Sequence, residues 1–454
     1  MKRLLSLAPL LLVICALSSL VVADDFSQSK PGKPKAKSQR PRVVAKPTTS
    51  KKTAAKPSKK NAIKKTGLSH APALATVKTF HGSAMEQYKR QLQTEGRNLS
   101  LHGVYVERYD SGQPLARMNE HAVFNPASVV KLATTLAALD RLGPNRRFRT
   151  EFRASGWINS QTGELVGDLL LVSGGDPAFS IHDAQAVGEA LRRLGIRKVT
   201  GSLLVIGEFV CNENSRTDVS AGVFRRQSQI TFQGQTQFAA TADEPPDTSL
   251  LVTVESDSLV KIARYLNAHS SNAMADLLAT HVGGAAGVRS FLVARLGLPF
   301  EATYISHGSG LDVNRLTPRD TVTILRALIA RLYDHGLRPE DVLPIAGVDS
   351  GTLAARFADQ EFIGSVLAKT GTLHDTDDGV AALAGVMNTR SCGALLFAVY
   401  DMAERRRVLH LRQVQDELLK GLMTECGGPA SIAYRYDGET LFRPQSRLLI
   451  NRPR

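Results

Sequence analysis

Phe124-Asn-Pro-Ala-Ser-Val-Val-Lys-Leu-Ala-Thr-Thr-Leu-Ala-Ala-Leu139 is the stretch on which the reading of this chain turns. Lys131 is the one charged residue between Ser128 and Leu139, and apolar side chains occupy every face, which predicts a helix buried in a core. Asn125 suits an N-cap and Pro126 the first helical position, which puts Ser128 in the first turn. Positions three apart are neighbours on a helix, so the Lys131 amine can reach the Ser128 hydroxyl. A desolvated lysine binds its proton weakly and can serve as a base at neutral pH. A weak nucleophile beside such a base is the starting point of covalent catalysis. An ordinary helix whose lysine snorkels to the surface fits the same four residues, so the companions of the motif decide between the two.

Two companions follow in order, Ser270-Ser-Asn272 and Lys369-Thr-Gly-Thr372. Each triplet alone is weak, since Ser27–Lys30 and Ser258–Lys261 also read Ser-x-x-Lys and Lys65-Thr-Gly67 repeats the last motif. Ser270-x-Asn272, by contrast, is the sole Ser-x-Asn in the chain. The chemistry assigns a role to each member. Ser128 attacks a carbonyl carbon, Lys131 takes its proton, and Ser270 relays that proton toward the leaving amine. Asn272 holds the substrate amide and orients Lys131. Lys369, on a strand, anchors a substrate carboxylate with Thr370 and Thr372, and Gly371 lets the substrate backbone lie close. The N–H groups of Ser128 and Thr372 are the expected oxyanion hole. Lys131 is expected to be largely neutral, through desolvation and the nearness of Lys369.

The chain of 454 residues carries a net charge of +15, which resembles a nucleic-acid signal until it is located. Fourteen Lys and Arg lie between Lys30 and Lys65, and no acidic residue lies between Asp25 and Glu86. Without those fourteen and the N-terminal Lys2, Arg3, Asp24 and Asp25, 41 basic residues face 40 acidic ones, so no nucleic-acid partner is expected. Residues 1–23 read as a secretory signal peptide, with an uncleaved membrane anchor as the alternative. Residues 24–80 read as a disordered basic tether, a plain spacer or an adhesive for anionic envelope polymers or a membrane surface through residues 30–65. Export to the periplasm or cell envelope permits a disulfide. Cys211, Cys392 and Cys426 remain after cleavage, and Cys392–Cys426 is the pair to test. No Cys/His cluster has metal-site spacing, and no metal or other cofactor is expected.

From His81 the pattern is globular. Strands are read at 102–109, within 148–172, at 201–210 and at 365–373, 379–387 and 394–400, the last three as neighbours in one antiparallel sheet. Residues 225–240 read as strand or loop. Helices are read at 184–194, 258–266, 271–279, 318–332 and 405–419. Strands and helices mix without regular alternation, so the fold class is α+β.

The three motifs in this order are those of penicillin-binding proteins and class A β-lactamases. With Gly167-Asp-Leu-Leu-Leu-Val-Ser-Gly-Gly-Asp-Pro177, Gly308-Ser-Gly-Leu311, Leu316-Thr-Pro318 and Leu343-Pro-Ile-Ala-Gly-Val348, the chain resembles the class C low-molecular-mass penicillin-binding proteins, of the penicillin-binding protein 4 type. The resemblance covers about His102 to Leu419. It implies a β-lactamase/transpeptidase-like domain of antiparallel sheet and helices, split by a smaller inserted α/β module. The expected boundaries are 81–148 and 245–454 for the catalytic domain and 149–244 for the insert, with no nested third domain. It also implies a serine-type D-alanyl-D-alanine carboxypeptidase/endopeptidase that cleaves peptidoglycan stem peptides and binds β-lactam antibiotics covalently. A serine β-lactamase and an inactive peptidoglycan-binding scaffold are the alternatives. Two departures from the family pattern stand out: Ser271 where an aspartate is usual, and the long acidic turn His374-Asp-Thr-Asp-Asp378.

Overall fold

Val380, Ala382, Ala384 and Val386 face one way, Ala381, Leu383 and Met387 the other, and both sets are buried. A strand apolar on both faces must lie inside a sheet that is covered on both sides. The computed structural model, which describes residues 83–240, 247–402, 408–432 and 443–451, shows that arrangement. The expected signal peptide and tether lie outside the described residues, as do residues 405–407 of the last expected helix. The chain divides into two units, Met1–Leu74 and Ala75–Arg454, and every described residue belongs to the second.

In chain order the elements up to the middle of the chain are α1 (Ser83–Thr94), β1 (His102–Arg108), β2 (Pro114–Met118), α2 (Lys131–Leu142), β3 (Arg149–Asn159), β4 (Glu164–Ser173), α3 (Ile181–Arg193), β5 (Lys198–Val199), β6 (Leu203–Ile206), α4 (Thr217–Ser228), β7 (Thr231–Phe232) and β8 (Thr236–Ala239). There follow β9 (Thr248–Glu255), α5 (Leu259–His269), α6 (Asn272–Thr280), α7 (Gly284–Leu296), α8 (Pro318–Asp334), β10 (Val366–Leu373), β11 (Val380–Thr389), β12 (Gly393–Met402), α9 (Val408–Glu425) and β13 (Arg447–Ile450).

The first sheet has the order β10-β11-β12-β1-β2 and is antiparallel throughout. One of its faces packs under α2, α5, α6, α7 and α8, through residues such as Leu136, Leu266, Leu278, Leu325 and Tyr400. The other packs under α1 and α9, through Tyr88, Leu92, Leu411 and Leu418. The α+β class and the neighbouring of the three late strands are as expected.

A second sheet of eight strands runs β13-β9-β3-β4-β5-β7, with β6 between β4 and β8. It is mixed: β3 pairs antiparallel with β4 and β9, whereas β5 and β6 run parallel to β4. This sheet extends past the expected end of the insert at 244. Val252 and Val254 of β9 join its apolar core, and β13 pairs with β9 from near the chain end. The segment 225–240 also divides differently, since 225–228 is the last turn of α4. Sequence reading missed α1, β2, β5, α4, β9, α7 and β13; α7 buries only Val288 and Leu292, so it shows no clear apolar stripe. Cys392 and Cys426 form a disulfide, and Cys211 is a buried free thiol.

Candidate active site

The nucleophile candidate does not begin a regular helix as the sequence suggested. Pro126 takes a helical conformation, Ala127 swings to a left-handed φ of 48°, and Ala127–Val130 form a 3-10 turn ahead of α2. A β-carbon in that region costs on the order of 1–2 kcal/mol, so the surroundings must impose it. Asn125 does so in part, since its Oδ1 accepts from the Ala127 N–H at 3.0 Å while its Nδ2 donates to Asp312 O at 2.9 Å. Gly310 does the rest, because a β-carbon there would lie 2.0 Å from Ala127 O. The kink leaves Ser128 partly exposed while Val129 and Val130 go into the core.

Lys131 is fully buried, and its Nζ donates to Ser128 Oγ (2.9 Å), Asn272 Oδ1 (2.7 Å) and Ser309 O (2.6 Å). In the protonated form its three N–H groups meet three acceptors, and in the neutral form the Ser128 hydroxyl donates to the amine instead. Burial lowers its pKa to about 7, against the opposing pull of the Asp276 carboxylate. Burial is the leading cause for both buried amines, and the repulsion between them acts in the same direction. Lys369 is also fully buried, and its pKa is pushed far below that of a free lysine, first by burial and then by Lys131.

Ser270 ends α5 in a left-handed conformation (φ 59°) that turns the chain into α6. Its Oγ accepts from Lys369 Nζ at 2.8 Å, and Thr370 O accepts from the same amine at 2.7 Å. Ser271, which stands where the resemblance leads one to expect aspartate, caps α6: its side chain accepts from the Met274 N–H. A serine does this as well as an aspartate, so the departure leaves the helix start intact. Asn272 is the first residue of α6, and Asp276 lies one turn further on the same face.

Lys369 to Thr372 lie on β10, the edge strand of the first sheet. Ala368 N donates to Pro344 O and Val366 O accepts from Ala346 N, so the even-numbered residues aim their backbone groups off the sheet edge. The same parity turns the Thr372 N–H outward, beyond the part of the edge that 344–346 covers. Gly371 is where strand and nucleophile turn meet: a β-carbon there would lie 2.7 Å from Pro126 O and 3.1 Å from Ala127 Cβ. Side chains alternate, so Lys369 reaches toward α5 while Thr370 and Thr372 leave from the opposite face. Thr370 Oγ1 donates to Thr352 Oγ1 (2.8 Å), and Thr372 Oγ1 accepts from Arg412 Nη2 (2.5 Å).

The structure thus gathers Ser128, Lys131 and Asn272 into one hydrogen-bonded group and Ser270 and Lys369 into a second, the two amines being near enough to repel, with Gly371 against the nucleophile turn and Thr370 and Thr372 on the adjoining edge. It adds residues the motifs did not announce. Asp276 accepts from Ser309 N at 2.8 Å and so fixes the loop whose carbonyl binds Lys131. Arg315 pairs with Asp377 through both guanidinium nitrogens (2.9 and 3.0 Å), and Asp377 also accepts from Asn125 Nδ2 at 2.6 Å. Asp377 is therefore consumed in tying the acidic turn to the nucleophile loop, and Arg315 with Asn125 holds its carboxyl below the ordinary range against burial, which acts the other way.

Residues 84–219 and 225–420 match the D-Ala-D-Ala carboxypeptidase 3 (S13) family. The chain is 28% identical over 348 residues to carboxypeptidase DacB of Mycolicibacterium smegmatis, covering 64% of this chain and 74% of that one. It is 26% identical over 265 residues to a D-alanyl-D-alanine carboxypeptidase of an Actinomadura species, covering 58% of this chain and 48%, about half, of the relative. Among solved structures, a penicillin G-acylated predatory endopeptidase of Bdellovibrio bacteriovorus superposes with a TM-score of 0.63 at 21% identity, over 73% of this chain and 94% of that one. That likeness is one of fold.

Proposed function

The chain belongs to the D-Ala-D-Ala carboxypeptidase 3 (S13) family and is a serine-type D-Ala-D-Ala carboxypeptidase, and from that premise we propose how its own residues act and on what. The observation that carries the reading is Lys131 Nζ within hydrogen-bond reach of both Ser128 Oγ and Asn272 Oδ1, at 2.9 and 2.7 Å.

With Lys131 neutral, Ser128 Oγ attacks the carbonyl carbon of the penultimate D-alanine and its proton passes to Lys131 Nζ. The oxyanion is received by the N–H groups of Ser128 and Thr372. Ser270, which Lys369 holds by its Oγ, takes the proton from Lys131 as it passes its own to the departing amine, and the C–N bond breaks. Water then attacks the ester and gives a proton to the neutral Lys131, which returns it to Ser128 Oγ as the C–O bond breaks. Asn272 orients Lys131 and receives the substrate amide. Lys369, Thr370, Gly371 and Thr372 form the strand edge along which the peptide lies.

The substrates are peptidoglycan stem peptides, cut at the terminal D-alanine or at a cross-link, and penicillin acylates the same serine. The endopeptidase and penicillin readings draw on what the Bdellovibrio neighbour is said to be. The protein is exported, to the periplasm or cell envelope, by residues 1–23, and residues 30–65, with 14 basic side chains and no acidic one, adhere to anionic envelope polymers or a membrane surface. Purified cell-wall fragments incubated with the wild type should yield free D-alanine and lose cross-linked dimers, and Ser128→Ala should do neither. Absence of both products with the wild type, or equal yields from the two proteins, would refute the assignment.

A further inference from the structure

Arg412 projects from α9, behind the first sheet, to the outer end of β10. Its Nη2 donates to Thr372 Oγ1 at 2.5 Å. Its Nε is buried and without a hydrogen-bond partner, and no carboxylate among the described residues pairs with it. The nearest acid on its own helix, Asp416, is taken by Arg356, which binds it through Nε (2.9 Å) and Nη2 (2.6 Å). Arg356 also donates to the Arg412 carbonyl, so it fixes the backbone beneath Arg412 while competing for its counter-ion. Nε is shielded from solvent, so an anion from outside would be met by the terminal nitrogens of this half-buried guanidinium, which has no carboxylate within ion-pair distance among the described residues and only the occupied Asp416 near enough to attract it.

The cleft needs such a cation, on the reading that it takes a peptide ending in D-alanine. That substrate carries a carboxylate on the leaving residue. Lys369 is poorly placed to answer it: the amine is fully buried and already donates to Ser270 and Thr370. A charge on Lys369 is opposed by burial and by Lys131; burial and Arg356 act against Arg412 in the same way, but a guanidinium starts high enough to keep its charge at any working pH. We propose that Arg412, together with the Thr372 hydroxyl, binds the terminal carboxylate of the substrate, and that Lys369 serves Ser270 instead. Arg412 is then a specificity determinant supplied by the last helix, outside the three motifs.

The test compares two synthetic N-acylated peptides on the full chain, one ending in D-Ala-D-Ala with a free carboxylate and one ending in the carboxamide. Arg412→Gln should lower kcat/KM on the acid by about 10–100-fold, mostly through KM, the loss expected of one hydrogen bond to a charged group. Turnover of the carboxamide should fall far less, since it loses only the support that Arg412 gives to Thr372. Arg412→Lys, which keeps the charge and loses the fork, should fall between. Equal losses on both peptides, or no loss on the acid, would overturn the proposal while leaving the peptidase reading intact. Failure of the wild type both to hydrolyse either peptide and to be labelled by penicillin would remove both.

Discussion

Lys131 Nζ lies 2.9 Å from Ser128 Oγ, across a 3-10 turn rather than along a regular helix. The tighter turn and the left-handed Ala127 before it aim the serine outward while the lysine stays in the core. One residue is thereby open to substrate and the other shielded from water, which is the division of labour a nucleophile and its base require.

Acylation should depend on pH through this lysine. Its pKa is lowered to about 7, so the base form is lost as pH falls through that value. The pre-steady-state rate of acylation by a chromogenic β-lactam should decline below about pH 7, tenfold per unit. Stability has the same sign: between about pH 7 and 10 the unfolded chain binds the proton that the folded one has lost, so this group makes stability rise with pH over that window. A flat rate between pH 5 and 9 would contradict the assignment.

Asp276 opposes the loss of that proton, and its Oδ1 also holds Ser309 N. Asp276→Asn keeps an acceptor and removes the charge. The acid limb of the profile should therefore move to lower pH, by roughly 0.5–1 unit. An unmoved limb, with the fold intact by thermal unfolding, would show that the carboxylate does not act on Lys131.

Gly371→Ala should separate strand from nucleophile. The added carbon would sit 2.7 Å from Pro126 O, a backbone atom that cannot swing aside. Displacing β10 by a fraction of an ångström should reduce kcat/KM by about 100-fold, for a stability loss of about 1–3 kcal/mol. Acylation at the wild-type rate would show that the approach of the two segments is not needed.

The Cys392–Cys426 disulfide joins the start of β12 to the end of α9, 34 residues apart. Replacing both cysteines by serine should cost about 3–4 kcal/mol in denaturant unfolding, by the entropy of that loop. Activity measured below the transition should persist, because neither residue borders the cluster. Loss of activity in a folded variant would contradict that separation.

Local patterns made the catalytic residues legible. Ser128 and Lys131 are three positions apart in an apolar stretch, and Ser270 and Asn272 flank a helix start, so motif and conformation coincide. What the sequence hid depends on contacts between distant segments. Asp276 matters because of Ser309, 33 residues later, and Arg412 because of Thr372, 40 residues earlier. The Ser271 cap is readable in the sequence, since serine before a helix is a start signal. The extent of the second sheet was hidden for a similar reason. Nothing local in 248–255 says that this strand pairs with 149–155 rather than with the catalytic sheet.

The most direct measurement is covalent labelling by a fluorescent penicillin, with the modified residue located by mass spectrometry of the digested protein. The account predicts a single penicilloyl adduct on Ser128 in the wild type and none in Ser128→Ala. An unlabelled wild type, or equal labelling of the two proteins, would contradict it.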